Sequence, residues 1–206
     1  IIFGAGGHGH VVAETAATVM PNLRIAFLDN DPSIQTTLWP LIGNFSELEN
    51  KALKEQFPYA FCGLGSNQLR VKYNSEFESM GYEIPTIIHP TAWVSPSASV
   101  HKGSFIGAGV IVNTRAVICD NVILNTSCSI DHDCIINTGV HVAPGAHIAG
   151  GVNVNRLSFI GAGASVIPNV CIGSNTVIGA GTVVISDVPN GATAVGVPAR
   201  WQVSTD

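Results

Sequence analysis

Residues 118–142 read ICDNVILNTSCSIDHDCIINTGVHV. Ile118, Leu124, Ile130, Ile136 and Val142 stand six residues apart. Val122, Cys128, Cys134 and Val140 follow the same step, four places behind the first four. The register runs outward in both directions without an insertion, from Val94 to Val184, and all sixteen positions are aliphatic. The residue four places on is small every time, from Ala98 to Val188. A period of six matches neither the 3.6 of a helix nor the 2 of a half-buried strand. It fits a parallel β-helix of hexapeptides. Each hexad is a short strand plus a turn, and three hexads close a triangular coil of 18 residues. The aliphatic side chain points inward, and the small one fits where the corner leaves little room. Ile-Gly-Ala-Gly at 106–109, 160–163 and 178–181 suits turns that need a positive φ.

The charge pattern agrees with this reading. Only 11% of the 206 residues are charged, against about 25% in an average soluble domain. Residues 1–93 hold 14 of the 23 charged side chains and residues 94–188 hold seven, which places a boundary near His89-Pro90. We read two domains, an α/β unit over 1–88 and the β-helix over 89–206. Leu157–Ser186 has no charge, but Gly161, Gly163, Pro168, Gly173 and Gly179 break it too often for a membrane span of about 20 apolar residues. The net charge of -5 argues against a nucleic-acid partner held by bulk electrostatics. Five cysteines without a C-x-x-C pair argue against a zinc site or disulfide framework. With no leader-like opening, they point to a cytoplasmic protein.

The first 88 residues read as a small Rossmann-like βαβαβ unit. Strands are expected at 1–3, 24–28 and 59–62, and helices at 11–19, 46–56 and 67–80. Ser46 and Glu49 form a capping box for the second helix. Gly4, Gly6 and Gly9 make G-x-G-x-x-G between a strand and a helix, and Asp29 lies 20 residues beyond Gly9. That spacing suits a pyrophosphate on backbone N–H groups at a helix start. Only one βαβαβ half precedes the repeat, so the pattern favours one nucleoside diphosphate, as in a nucleotide sugar, over a dinucleotide.

The second constellation lies inside the repeat. Between Asn121 and Ser186 the only charged residues are Asp131, Asp133 and Arg156, and two of them flank His132. A carboxylate beside an imidazole fixes its tautomer and raises its basicity, which is what a general base needs. His141 follows nine residues later and His147 six after that. These spacings do not suit a three-histidine metal centre, so no metal is expected. His101 and His147 read as turn or interface residues, and Cys128 and Cys134 as core.

Gly4-Ala5-Gly6-Gly7-His8-Gly9, Leu28-Asp29-Asn30, Gly63-Leu64-Gly65-Ser66-Asn67, Ile123-Leu124-Asn125-Thr126-Ser127 and Asp131-His132-Asp133 resemble the NeuD/PglD family of sugar acyltransferases. Val195-Gly196-Val197-Pro198-Ala199-Arg200 is similar to the ending of hexapeptide acetyltransferases. The resemblance covers almost the whole chain. It implies a left-handed coil, a homotrimer with sites between subunits, and acetyl transfer from acetyl-CoA to an amino group on a nucleotide-linked sugar. It makes His132 the general base and Asp133 the residue that raises its basicity. Asn125 would touch the sugar or its nucleotide. Gly6, Gly7, His8, Asp29, Asn30 and Gly65 would line the nucleotide pocket. His141 and backbone groups at Ala162 and Ala180 would hold acetyl-CoA. A UDP-4-amino sugar is the favoured acceptor. The alternatives are an O-acetyltransferase acting on sialic acid or another sugar, a GDP-perosamine-type N-acetyltransferase, and a binding module without turnover.

Overall fold

The computed structural model describes residues 1–36 and 38–203. Its N-terminal part has three short parallel strands, β1 (Ile2–Phe3), β2 (Phe27–Leu28) and β3 (Phe61–Cys62), in the order β2-β1-β3. Helix α1 (Gly7–Val19) follows β1 directly, so the second half of the glycine loop is the helix's first turn. Its cap, Gly6, offers no side chain, which leaves the first N–H groups open to a ligand. The stretch expected as one helix over 46–56 is two. A 3₁₀ turn covers Phe45–Glu49 and α2 covers Lys51–Gln56. Two asparagines cause the break. Asn50 leaves helical geometry and accepts from the N–H groups of Ala52 and Leu53. Asn44, not Ser46, caps the first piece. Asparagine side chains compete with helix in this way. Helix α3 (Asn67–Ser79) then leads to β4 (Ile87–Ile88).

From β4 onward the chain is a left-handed β-helix of two-residue strands, each paired in parallel with the strand one coil away, as in Leu124 with Ile106 and Val142. Three faces result. The first stacks β4, Phe105–Ile106, Ile123–Leu124, His141–Val142, Phe159–Ile160 and Val177–Ile178. The second runs from Trp93–Val94 through Ser129–Ile130 and His147–Ile148 to Val183–Val184. The third runs from Ser99–Val100 through Ile135–Ile136 to Cys171–Ile172. The inward aliphatic column and the small corner residues form one continuous core, with Ile106, Ile118, Leu124, Cys128, Ile130 and Cys134 fully buried. Coil pairing starts one hexad before the period read from the sequence, because Ile88 is also in register. A hairpin of Ala192–Val195 against Arg200–Val203 follows the last coil.

The N-terminal unit sits on the first face. Phe105 and Ile123 point outward from the coil, yet both are fully buried against Val12, Ala13 and Ala16 of α1 and against Phe27 and Phe61. Burying each side chain contributes about 1.5–3 kcal/mol. Arg70 of α3 adds polar anchors at the edge between the third and first faces. It is wholly buried and donates to the carbonyls of Asn121 at 2.8 Å and Gly139 at 3.0 Å. Asn67 donates to the Leu157 and Ser158 carbonyls on the same edge. The glycine loop is thereby fixed over the first face.

Candidate active site

Two groups of candidate residues lie on different sides of the coil. His132 and Asp133 sit in the turn between the second and third faces. That edge is opposite the face covered by the N-terminal unit. At this turn Asp133 adopts a left-handed φ of 60°, which swings its carboxylate back to the imidazole. His132 Nδ1 donates to Asp133 Oδ2 at 2.8 Å, which leaves Nε2 as the free basic nitrogen. Arg115, one coil below, donates to both oxygens of Asp133. Its guanidinium, more than the imidazole, holds the Asp133 carboxyl down at about 2. Asp133 is therefore ionised throughout the neutral range. Asp131 has a different task from the one its position suggested. It accepts from the His132 backbone N–H and from Asn113, bracing the turn rather than the ring.

The imidazole is seated on Gly150, one coil above. A Cβ on Gly150 would lie 2.5 Å from the ring's Cε1 and 2.6 Å from Nε2. The Gly150 backbone is not in the left-handed region, so alanine fits the chain but not the ring. Gly150→Ala is expected to push His132 aside and lower kcat by about 10²-fold, the scale set by a displacement near 1 Å. The melting temperature should stay close to wild type. Paired kinetic and thermal measurements check both.

The second group lies on the first face and its edge with the second. His141 points out from the first face toward the N-terminal unit, with its ring 6.5 Å from that of His8 and edge-on to Phe159. His8 is edge-on to Phe105 at 5.3 Å. Its Nε2 is buried without a partner among the described residues, an orphan that a ligand atom would satisfy. Asn125 Nδ2 lies 3.3 Å from His141 Nε2, and Asn125 Oδ1 accepts the Thr126 N–H. Burial, with Arg70 adding to it, lowers His141 to about 3 and His8 to about 4. Both rings are neutral at physiological pH. Ala162 and Ala180 stack one coil apart on the edge that also carries Asn125. Neither N–H has a protein acceptor among the described residues. Beside them Gly163 and Gly181 face open space.

The depressed histidines make stability depend on pH. Unfolded, each takes up its proton near the ordinary value of about 6.5. Folded, they resist until about 4 and 3. The unfolded state therefore binds more protons below pH 6.5, and stability falls as pH drops from there toward 4. The unfolding midpoint should decline over that window, and His141→Gln should flatten the decline. A midpoint flat from pH 7 to 4 in the wild type would contradict the burial of these rings.

At Gly6, Gly7 and Gly65 an added Cβ would meet no atom within 4 Å. Gly9 instead serves the fold, since a Cβ there would come within 1.9 Å of the Gly4 carbonyl oxygen. Asp29 Oδ2 accepts from the Ala5 N–H and Oδ1 from that of Asp31, tying the glycine loop to the end of β2. Asn30 Oδ1 accepts from the Phe45 N–H, and its amide NH₂ has no acceptor among the described residues. Asp29 and Asn30 line a pocket of about 340 Å³ with Pro32, Leu41, Gly43 and Asn44, at the carboxyl ends of the strands where such sheets bind ligands. Burial pushes Cys128 up to about 12 and raises Cys134, so neither is a thiolate nucleophile. His147 Nδ1 is 2.8 Å from Ser129 Oγ, and His101 lies beside Asp120. Among the described residues no group of three His, Cys, Asp or Glu is placed to hold a metal ion, and no helix is long and apolar enough to cross a membrane. Arg70, Arg115 and Gly150 escaped the sequence reading.

Known proteins share this fold. Residues 1–77 match the PglD N-terminal domain. The acetyltransferase domain of PglB from Neisseria gonorrhoeae is 39% identical, with 97% of each chain covered and a TM-score of 0.92. That domain has also been solved in complex with acetyl coenzyme A. PerB from Caulobacter crescentus, solved with CoA and GDP-perosamine, is 38% identical over 98% of this chain and 95% of its own, with a TM-score of 0.91. WeeI from Acinetobacter baumannii, at 24% identity and a TM-score of 0.89, shares the fold. The chain thus belongs to the NeuD/PglD-type family of sugar acetyltransferases.

Proposed function

We propose that the protein is an acetyl-CoA-dependent N-acetyltransferase for a nucleotide-linked amino-deoxysugar, working as a cytoplasmic homotrimer. The observation that carries this reading is the His132–Asp133 pair, with Nε2 free, on an edge that its own nucleotide loop does not reach. A second copy brings them together: its Asn125, His141, Ala162 and Ala180 edge meets the first copy's His132 edge. In this arrangement residues 1–88 hold the nucleotide sugar and residues 89–206 carry the chemistry. Gly6, Gly7 and Gly65 make room for the diphosphate, Asp29 and Asn30 receive the nucleoside, and His8 Nε2 meets a polar atom of the ligand. The free N–H groups of Ala162 and Ala180 donate to acetyl-CoA.

His132 Nε2 takes a proton from the sugar amine as its nitrogen attacks the thioester carbonyl. The N–C bond forms, the C–S bond breaks, and the proton passes to the departing CoA sulfur. General base catalysis of this kind is worth about 10²–10⁴-fold. An amine acceptor fits a site with one base and no covalent nucleophile. The acceptor is a UDP- or GDP-linked 4-amino sugar. We favour UDP, and the GDP-perosamine bound to PerB keeps the second nucleotide in the test. Mixing the protein with acetyl-CoA and a panel of UDP- and GDP-amino sugars, while following free thiol, tests the class. Thiol release that needs an amino sugar, with the acetyl group recovered on nitrogen, supports the proposal. Acetyl on oxygen, or no release with any amino sugar, contradicts it.

A further inference from the structure

We propose that Arg115 is a positioning residue for proton transfer: it clamps Asp133 in the plane that meets the His132 ring. This rests on the reading of His132 as the base. Arg115 and Asp133 occupy the same turn position one coil apart, with φ of 58° and 60°. Their side chains therefore stack along the coil edge. Arg115 Nε donates to Asp133 Oδ1 at 2.7 Å and Nη2 to Oδ2 at 2.9 Å. Oδ2 is also the atom that accepts from His132 Nδ1. Fork geometry fixes the carboxylate plane in a way that a single point charge does not. The clamp is itself pinned, because the Arg115 N–H donates to Ser97 Oγ at 3.2 Å, one coil further down.

Stability does not explain an arginine here. Left-handed turn positions along the coil are mostly Gly or Asn, as at Gly109, Asn121, Gly139, Gly145, Asn169 and Asn175, with Ser127 and Leu157 the other exceptions beside Arg115 and Asp133. A residue with a longer side chain is disfavoured in that conformation, because its Cβ crowds the following carbonyl oxygen. The Arg115–Asp133 bridge is exposed, with side chains 63% and 43% accessible, so solvent screens it and it adds little to stability. A strained backbone held for a weak bridge is reasonable where the bridge serves the chemistry.

Arg115→Gln is expected to lower kcat about tenfold, with the KM for each substrate and the melting temperature unchanged, because the loss concerns orientation and not binding. Arg115→Lys, which keeps the charge but not the fork, should recover only part of the loss. In an Asp133→Asn background, Arg115→Gln should cost nothing more, since its effect passes through that carboxylate. A raised KM with intact kcat would make Arg115 a ligand contact and overturn the proposal. So would an unchanged kcat, or full additivity with Asp133→Asn. His132→Ala assayed alongside separates the two ideas: if it stays active the base assignment fails, whereas if it is dead and Arg115→Gln is normal only the clamp fails.

Discussion

His132→Ala is expected to lower turnover by about 10²–10⁴-fold while leaving the fold and the assembly intact. The expectation follows from what touches the ring. His132 is exposed in a turn and meets Asp133 and the bare surface of Gly150. Removing it leaves no buried partner unpaired and no cavity. The core beneath, built on Ile130, Cys134 and Ile136, is complete without it. Activity should therefore vanish from a protein that melts normally. Steady-state thiol release beside a thermal scan reads both. Turnover near wild type would remove His132 from the role of base.

Arg70→Met should do the opposite and strike stability. The guanidinium is wholly buried, yet no carboxylate answers it among the described residues. It is held by oxygen dipoles instead. Nε reaches the Asn121 carbonyl, Nη1 the Leu64 and Gly65 carbonyls, and Nη2 Asn67 Oδ1 and the Gly139 carbonyl. Burial lowers its pKa to about 10, so it keeps its proton at neutral pH. Charge-assisted hydrogen bonds are worth about 1.5–3 kcal/mol each, and acceptors left unpaired inside the protein add a further cost. The variant should lose about 3–5 kcal/mol, the size seen when a buried charged network is broken. Because Arg70 joins the Gly65 loop to the coil, that loop should loosen first. Denaturant unfolding followed together with proteolysis at that loop checks this. A loss below about 1 kcal/mol would mean that the loop and coil are held by their apolar contacts alone.

The coil was legible in the sequence because its rule is local and repeated. Every inward position from Val94 to Val184 obeys the same demand, so the period speaks for itself. The helix break at Asn50 was not legible, since Ser46 and Glu49 mimic a capping box while two asparagines compete for the backbone. His132 stood out against a neutral background, and its partner Asp133 was adjacent in sequence. Asp131 looked equivalent to Asp133 until geometry showed it bound to Asn113 and the turn backbone. Arg115 and Gly150 were missed for one reason. They lie 18 residues before Asp133 and 18 after His132, so they touch the site only through the coil. Searching one coil up and down from each candidate would have found them. Arg70 carried no signal, because a helical arginine reads as solvent-facing until a second domain covers it.

In the proposed trimer, two copies share each reaction centre. Co-expression of a His132→Ala chain with an Asp29→Ala chain, under separate affinity tags, probes this sharing. Each variant alone should be inactive, one lacking the base and the other a working nucleotide loop. Hetero-oligomers purified through both tags are predicted to regain acetyl transfer, because some interfaces pair an intact His132 with an intact loop. Hetero-oligomers no more active than either parent would contradict the account, and would place the whole centre within a single chain.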